Sequence, residues 1–259
     1  MNDRSQIKAL LACDLDGTLI AADGSPAPGI VEALADLDAR GARLVVCTGR
    51  PLHSAVTAVT ALRADPLAYV CYHGALVVDA ATGEWLRHLT IPGDAATGIV
   101  REALRLGLTV TLYDGDVRRE LAPAASGAAL DLPVLPGITR IVLSGGPALV
   151  TESFPGLAAT SGLGLRMEHA GDGIVDVLHV GADKGDALGL VAAHFGVPVE
   201  RIVACGDAAT DGSLLRTAGM SIAVGDPPDA ALIDADEHVT QEGLARLLLQ
   251  RLEPLIRLP

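Results

Sequence analysis

Short apolar runs alternate with stretches of helical periodicity in the first third of the chain, and this alternation constrains the fold more than any other feature. The runs Lys8–Cys13, Arg43–Cys47 and Ala68–Tyr72 have the length and apolar character of buried strands. Between them, helical spacing covers Ile30 to Leu37 and Leu52–Leu62. Because parallel strands need a crossover, usually a helix, this order predicts an α/β fold with a doubly wound parallel sheet.

The last third of the chain repeats the same alternation. The pattern predicts helices and strands in turn over Lys184–Phe195, Ile202–Cys205, Asp211–Thr217, Ser221–Val224 and from Glu242 onward. We therefore assign residues 1–89 and 180–259 to one core domain.

The middle of the chain has a different pattern, which we interpret as a second α/β domain inserted at residues 90–179. Helical stretches are predicted near 94–106 and 147–154. Asp114-Gly115 is a predicted hairpin turn, and Leu121–Pro136, rich in Ala and Pro, is predicted to be a loop. Strand-like runs cover Leu108–Tyr113, Arg140–Leu143, Leu163–Glu168 and Ile174–Leu178.

Composition narrows the class of protein. The chain has 259 residues, which favours two domains at roughly 150 residues per domain. Half of the residues are apolar, which is enough for a large core and argues against intrinsic disorder. A net charge of −13 argues against nucleic acid and anionic membranes as partners, because both are bound through basic patches. A small phosphorylated ligand would need local cationic groups or a divalent cation.

Features of targeting and redox chemistry point to the cytoplasm. No apolar run approaches the roughly 18–20 residues of a membrane span, and the run Ala9–Cys13 is shorter than the core of a secretory signal. No CxxC pair occurs among the four cysteines, which are Cys13, Cys47, Cys71 and Cys205. We expect a cytoplasmic protein with reduced thiols.

Asp14 and Asp16 directly follow the first predicted strand, in the segment Asp-Leu-Asp-Gly-Thr-Leu. Ligands of open α/β sheets bind beyond the carboxyl ends of the strands, so both carboxylates are expected in that crevice. Two carboxylates this close repel each other, and a cation or a proton relieves the repulsion. Taken alone, the segment is more typical of an acidic turn at the end of a strand, which Asp and Gly favour.

Three later segments place further polar groups at predicted strand ends or helix starts. Thr48-Gly49-Arg50 follows the second strand, and Asp207 follows a later one, with Asp211 four residues on. Lys184 begins a helix, where a cation is mildly disfavoured. Because the chain otherwise uses arginine almost throughout, a lysine here indicates a need for a compact point charge.

The order of these motifs, DLDGTL, TGR, K and GDxxxD, resembles the haloacid dehalogenase-like superfamily, and the position of the insertion resembles its Cof-like branch. The resemblance implies a Rossmann-like core with an α/β sandwich cap that sets substrate specificity. It also implies a phosphoric monoester hydrolase that is Mg²⁺-dependent and acts on a small phosphorylated metabolite, such as a sugar phosphate or a related organic phosphate.

The resemblance also assigns roles to individual residues. Asp14 matches the nucleophile that forms an aspartyl-phosphate, and Asp16 matches the general acid/base. Phosphate contacts are implied for Thr48, the Gly49 amide and Lys184. Arg50 is a further candidate, because it follows Gly49 and its guanidinium can form a fork on an anion. The implied magnesium ligands are Asp14, the Asp16 carbonyl and Asp207, with Asp211 either a further ligand or a residue that orients them.

Three positions depart from the family pattern, because His73, Thr210 and Asp226 stand where asparagine is usual. Alternatives also stay open: a phosphotransferase or phosphomutase acting on sugar phosphates, or a catalytically inactive regulatory protein. Dehalogenation is disfavoured, because it needs neither Asp16 nor the metal. Candidates for specificity in the inserted domain are Arg118, Arg119, Arg140, Arg166 and His169.

Overall fold

The computed structural model describes residues 7–123, 134–160, 164–226 and 228–257, and the side chains of 159 and 160 are not described. The chain divides into two compact units. One runs to Arg87 and resumes at Asp183, and the other is His88–Ala182. We call them the core unit and the inserted unit. The boundaries expected from the sequence, at 90 and 179, lie just inside those of the inserted unit.

A mixed sheet forms the centre of the core unit. Strands are numbered along the whole chain, and those of this sheet are β1 Ala9–Cys13, β2 Ala42–Cys47, β3 Ala68–Cys71, β4 Leu76–Asp79, β5 Trp85–His88, β11 Ile202–Gly206, β12 Met220–Val224 and β13 Glu237–Val239. Over the described residues the order across the sheet is β13-β12-β11-β1-β2-β3-β4-β5. Neighbours from β13 to β3 pair in parallel, whereas β4 pairs with β3 antiparallel.

Helices cover both faces of this sheet, as a doubly wound fold requires. Leu11 and Leu44 line a cavity with Leu34 and Leu37 on one face. Leu10 and its same-face neighbours pack on the other face with buried residues of the fifth and sixth helices. The helices of the core unit are α1 Ile30–Ala39, α2 Leu52–Leu62, α5 Lys184–Phe195, α6 Gly212–Thr217 and α7 Gln241–Arg257.

The inserted unit is a sheet of antiparallel pairs with helices on one face. Its elements are α3 Gly93–Arg105, β6 Thr109–Asp114, β7 Val117–Leu121, β8 Arg140–Ser144, α4 Pro147–Thr160, β9 Leu165–Gly171 and β10 Ile174–His179. For the described part of the chain, the strand order is β7-β6-β8-β10-β9. Alternate residues such as Val110, Leu112, Ile141 and Val177 pack with the helices in one core. This architecture confirms the α/β class.

Several elements differ from the sequence-based expectation. The strands β4, β5 and β13 were not expected. The predicted hairpin turn at Asp114-Gly115 is observed between β6 and β7, although the residues of β7 were not assigned to a strand. Helix α4 continues six residues past the expected end at 154, and α6 begins at Gly212, because Asp211 belongs to a preceding 3-10 turn. The expected strand Leu163–Glu168 is observed as β9, and residue 163 lies outside the described residues, as does 124–133 of the expected loop.

None of the helices described here has the length and apolar character needed to cross a membrane. The cytoplasmic location stays a prediction.

Candidate active site

The site begins where β1 and β11 end side by side. The two strands pair in parallel with Cys13 opposite Cys205, and the Asp14 amide donates to the Cys205 carbonyl at 3.0 Å. Asp14 and Asp207 therefore leave the same edge of the sheet on neighbouring strands. The first is almost fully buried and the second half-buried.

Lys184 connects two of the carboxylates. It is the first residue of α5, whose start is capped by the Asp183 side chain accepting from the Asp186 amide. Its side chain is 2% exposed, and Nζ donates to Asp14 Oδ1 at 2.7 Å and to Asp211 Oδ1 at 2.5 Å. A lysine buried to this degree requires such partners, because an unpaired buried charge is costly.

Asp211 is fixed by its second oxygen. Its Oδ2 accepts from the Asp207 and Ala208 amides, each at 3.1 Å. The carboxylate also lies against Gly206, where a Cβ atom would come within 2.4 Å of the Asp211 Cβ. Asp211 is fully buried, so its orientation is determined by β11 and the turn that follows it.

Asp207 is positioned by the loop after β1. Thr18 Oγ1 donates to Asp207 Oδ1 at 2.9 Å. Gly17 has φ +80°, and a Cβ there would lie 2.1 Å from Asp207 Oδ2. This glycine is needed both for the left-handed turn and for the close approach of the carboxylate. We did not single out Thr18 from the sequence, although its place in the first motif could have indicated it.

Charge and burial shift the pKa values in the cluster. Burial raises the pKa of Asp14 to about 7, against the opposing effect of Lys184. Burial likewise raises the pKa of Asp207. For Lys184, burial alone would lower the pKa, but the Asp14 and Asp211 carboxylates hold it above its usual value. The cluster thus has more negative charge than one ammonium can compensate.

This cluster fits a divalent cation. Among the residues described, Asp14, Asp207 and Asp211 each offer a carboxylate oxygen, and these oxygens lie within 4.8 Å of one another. Three carboxylates and one ammonium leave two formal negative charges in a largely buried space. Hard cations prefer oxygen ligands of this kind. A divalent cation would compensate the excess charge.

The segment after β2 forms the neighbouring part of the site. Cys13 pairs with Val46, so Thr48 follows the strand beside β1. Thr48 is buried, and its hydroxyl accepts from the Arg50 amide at 3.1 Å. A Cβ on Gly49 would meet His73 Nε2 at 2.4 Å, so the imidazole lies against the glycine.

Asp16 and Arg50 form a partly exposed ion pair beside this segment. Arg50 Nε donates to Asp16 Oδ2 at 2.8 Å, and its NH2 group donates to Asp16 Oδ1. Hydrogen bonding to Asp16 raises the pKa of Arg50. The Asp16 side chain is 56% exposed, unlike the other acids of the site. The structure therefore places Asp16 against Arg50, outside the cluster around Lys184.

The two remaining departures from the family pattern lie at the surface. Thr210 and Asp226 are both exposed.

The specificity candidates of the inserted unit divide between the two faces of its sheet. The strand register puts Arg118, Tyr113, Arg140, Leu178 and Arg166 in one row across the sheet. Arg119 pairs with Leu112, which points to the helices, and His169 stacks on Phe154 of α4 with ring centroids 4.4 Å apart. Only three of the five candidates therefore share the face without helices.

Each arginine of that row has an acidic partner. Arg118 is paired with Glu120, Arg140 with Asp176 and Arg166 with Glu168. Asp176 is 1% exposed. The face is polar but its charges are balanced.

Comparison with known proteins identifies the family of this chain. A model of the haloacid dehalogenase-like hydrolase family matches residues 11–118 and 147–246. An HMP-PP phosphatase of Escherichia coli is 27% identical over 229 residues, which cover 83% of this chain and 84% of that protein.

Solved structures share the fold. A haloacid dehalogenase-like hydrolase from Bacteroides thetaiotaomicron has a TM-score of 0.81 at 20% identity, covering 94% of this chain and 99% of the other. A sugar phosphatase of HAD subclass IIB has a TM-score of 0.74 at 18% identity, covering 94% and 98%. With the family model matching most of the chain, the protein belongs to the haloacid dehalogenase-like hydrolases, as its motifs indicated.

Proposed function

We propose that this protein is a Mg²⁺-dependent phosphatase that hydrolyses a small phosphorylated metabolite through an aspartyl-phosphate on Asp14. The observation that carries the proposal is the position of Lys184, whose buried ammonium bonds both Asp14 and Asp211 within a cluster of three carboxylates. The cluster has a carboxylate, a fixed cation and an excess of negative charge at one sheet edge. This combination suits phosphoryl transfer, in which catalysis depends mainly on positioning and charge compensation.

In the proposed reaction, the Asp14 carboxylate attacks phosphorus and the bond to the leaving oxygen breaks. Asp16 gives its proton to that oxygen, and then accepts a proton from the water that hydrolyses the acyl phosphate. Forming the covalent intermediate replaces one difficult step by two easier ones. Asp16 lies two residues after Asp14, and its carboxylate stays outside the buried cluster around Lys184, which supports a role separate from metal binding for its side chain.

Phosphate oxygens are proposed to bind to the Thr48 hydroxyl, the Gly49 amide, Arg50 and Lys184. Lys184 is already fixed by two carboxylates, so it needs no reorganisation to compensate charge that develops on the phosphoryl group.

Asp14, Asp207, Asp211 and the Asp16 carbonyl are the proposed ligands of Mg²⁺. When bound, the ion supplies compensation of the negative charge that Asp14 and the phosphate share. The Thr18 hydroxyl and the Asp207 and Ala208 amides orient two of the ligand carboxylates before any ion binds. Such outer contacts fix ligand geometry.

For the substrate, the names of the relatives favour a small organic phosphate. One relative is called an HMP-PP phosphatase and another a sugar phosphatase. We propose a sugar phosphate or a related organic phosphate as the substrate, and the inserted unit as the part of the chain that sets the preference among such esters.

A screen of phosphorylated metabolites with Mg²⁺, measuring released inorganic phosphate, tests the function. We expect hydrolysis of one or more sugar phosphates by the native protein and none by Asp14→Asn. Repeating the assay with an added sugar acceptor separates hydrolysis from transfer, because a phosphotransferase would phosphorylate the acceptor instead. No phosphate release and no transfer across the screen would contradict the proposal.

A further inference from the structure

The guanidinium of Arg50 has two anionic partners in the proposed reaction, the Asp16 carboxylate and the phosphate of the substrate. In the structure it forms a fork on the Asp16 carboxylate, with Nε on one oxygen and NH2 on the other. In the proposed function it also contacts the phosphate of the substrate. A guanidinium presents this planar fork to carboxylates and phosphates alike, so the two anions compete for the same donors.

The backbone of both residues is fixed. The Arg50 amide donates to Thr48 Oγ1, and its carbonyl accepts from the Tyr72 amide at 3.2 Å. Asp16 belongs to a turn in which the Gly17 amide donates to the Ile20 carbonyl at 2.8 Å. Only the two side chains are therefore free to exchange partners.

Exposure makes that exchange inexpensive. The side chains of Arg50 and Asp16 are 30% and 56% exposed, and ion pairs in contact with water contribute little stability. A phosphate dianion has more charge than a carboxylate and also benefits from Thr48 beside Arg50. Arriving phosphate is thus able to displace Asp16 from the guanidinium.

We propose that Arg50 holds Asp16 in the substrate-free protein and exchanges it for the phosphoryl group of the substrate, which releases the Asp16 side chain to reach the leaving oxygen. This inference rests on the proposed function. Its consequence is that the acid/base is set free only in protein that carries a phosphate. Arg50 and Asp16 then act as one unit whose two arrangements are selected by the ligand.

A double-mutant cycle on phosphate binding tests the exchange. The dissociation constant of inorganic phosphate is measured by calorimetry at saturating Mg²⁺ for the native protein, Asp16→Asn, Arg50→Gln and the double variant. Because removing the Asp16 carboxylate frees Arg50, Asp16→Asn should tighten binding by about tenfold in the native background, a typical coupling for contacting residues. In the Arg50→Gln background, Asp16→Asn should change the dissociation constant of phosphate by less than about threefold. This remaining effect is attributed to the loss of one negative charge near the site.

The other outcomes overturn the inference. Equal effects of Asp16→Asn in both backgrounds would show that Arg50 binds phosphate without competition from Asp16. No loss of phosphate affinity in Arg50→Gln would show that Arg50 is only a structural partner of Asp16. A native protein that binds no phosphate would overturn the proposed function as well, so the two failures are distinguishable. The melting temperatures of all four proteins serve as the control for misfolding. Arg50→Lys keeps the charge but not the planar fork, so its affinity for phosphate should lie between those of the native protein and Arg50→Gln.

Discussion

Asp14 is nearly buried, and one of its carboxylate oxygens accepts from Lys184. Asp14→Asn preserves shape but removes the proposed nucleophile, because an amide does not accept a phosphoryl group. We expect loss of turnover below detection with a melting temperature close to that of the native protein. Phosphate release and thermal unfolding measure the two effects. Asp94→Asn, which changes an exposed carboxylate at the start of α3, is the matched control and should retain activity. Covalent phosphate on any residue other than Asp14 would refute the assignment.

Asp16 is expected to act on the leaving group. Asp16→Asn should therefore slow hydrolysis of phenyl phosphate by about 10²–10⁴-fold, the usual contribution of general acid catalysis, and slow p-nitrophenyl phosphate less, since nitrophenolate leaves without a proton. Turnover numbers for both esters with native and variant protein check this. An equal loss for the two esters would argue against protonation of the leaving oxygen by Asp16.

Some residues of the site, but not all of their contacts, could be predicted from the sequence. Asp14, Lys184 and Asp211 are charged groups at predicted strand ends or helix starts, and they meet in the structure. The pairing of Asp16 with Arg50 was not predictable, because two partly exposed side chains choose partners by local geometry rather than by burial. The contact of Gly17 with Asp207 joins residues 190 positions apart, and only the sheet order reveals it.

Among the secondary-structure elements, the turn after β3 packs closely against the start of α5. Tyr72, His73 and Gly74 have positive φ in succession, and a Cβ on Gly74 would lie 2.1 Å from the Asp183 carbonyl. Asp183 caps the helix that starts with Lys184. The close approach of Gly74 to Asp183 therefore helps to position the Lys184 ammonium.

Gly74→Ala should destabilise the protein and reduce turnover. Left-handed strain alone costs about 1–2 kcal/mol for a residue with a Cβ, and displacement of the Asp183 backbone adds to it. Gly24→Ala is the matched control, because Gly24 has φ +83° with nothing within 4 Å of the added carbon. Urea unfolding should show a larger loss for Gly74→Ala, and only this variant should lose activity. Similar losses in both variants would mean that strain, not the contact with Asp183, is the cause.

Elements with a buried apolar face were predictable, whereas edge elements were not. Helix α5 lies at the predicted bounds, Lys184–Phe195, because its apolar spacing and its stop at Gly196 are both encoded locally. Strand β7, with the sequence VRREL, is an exposed edge strand and shows no apolar alternation. Strand β4 follows a turn of three residues with positive φ, and only one of them, Gly74, is a glycine. The change of chain direction from β3 to the antiparallel β4 was therefore difficult to predict from the sequence.

For the protein as a whole, we expect the excess of acidic groups in the core unit to make stability depend on both pH and divalent metal. Burial raises the pKa of Asp14 to about 7, so between about pH 4 and 7 the folded metal-free protein holds a proton that the unfolded chain has released. Its stability should therefore fall as pH rises through this window. A divalent cation binds the ionised carboxylates, so the gain in melting temperature from Mg²⁺ should grow over the same interval.

Thermal unfolding in EDTA and in Mg²⁺, at several pH values between about 5 and 8, measures this dependence. In Asp14→Asn the dependence of the melting temperature on pH should be weaker, because the titrating group is gone.

The metal should also control activity. Activity should disappear in EDTA and return with Mg²⁺, and Asp207→Ala should raise the Mg²⁺ concentration needed or abolish activity. Full activity after exhaustive dialysis against EDTA would contradict the proposed mechanism.

The wide separation of the site residues along the chain has a consequence for synthesis. Asp14 leaves the ribosome early, but the bonds from Lys184 to Asp14 and from Thr18 to Asp207 span 170 and 189 positions. Strand β1 lies between β2 and β11 in the sheet, so the edge of β1 that pairs with β11 stays unpaired until β11 has been synthesised. Contacts of such long range form slowly, and a nascent chain that ends before residue 211 lacks one of the two carboxylates bonded to Lys184. The cluster around Lys184 is therefore complete only after both parts of the core unit have been synthesised and have joined in one sheet.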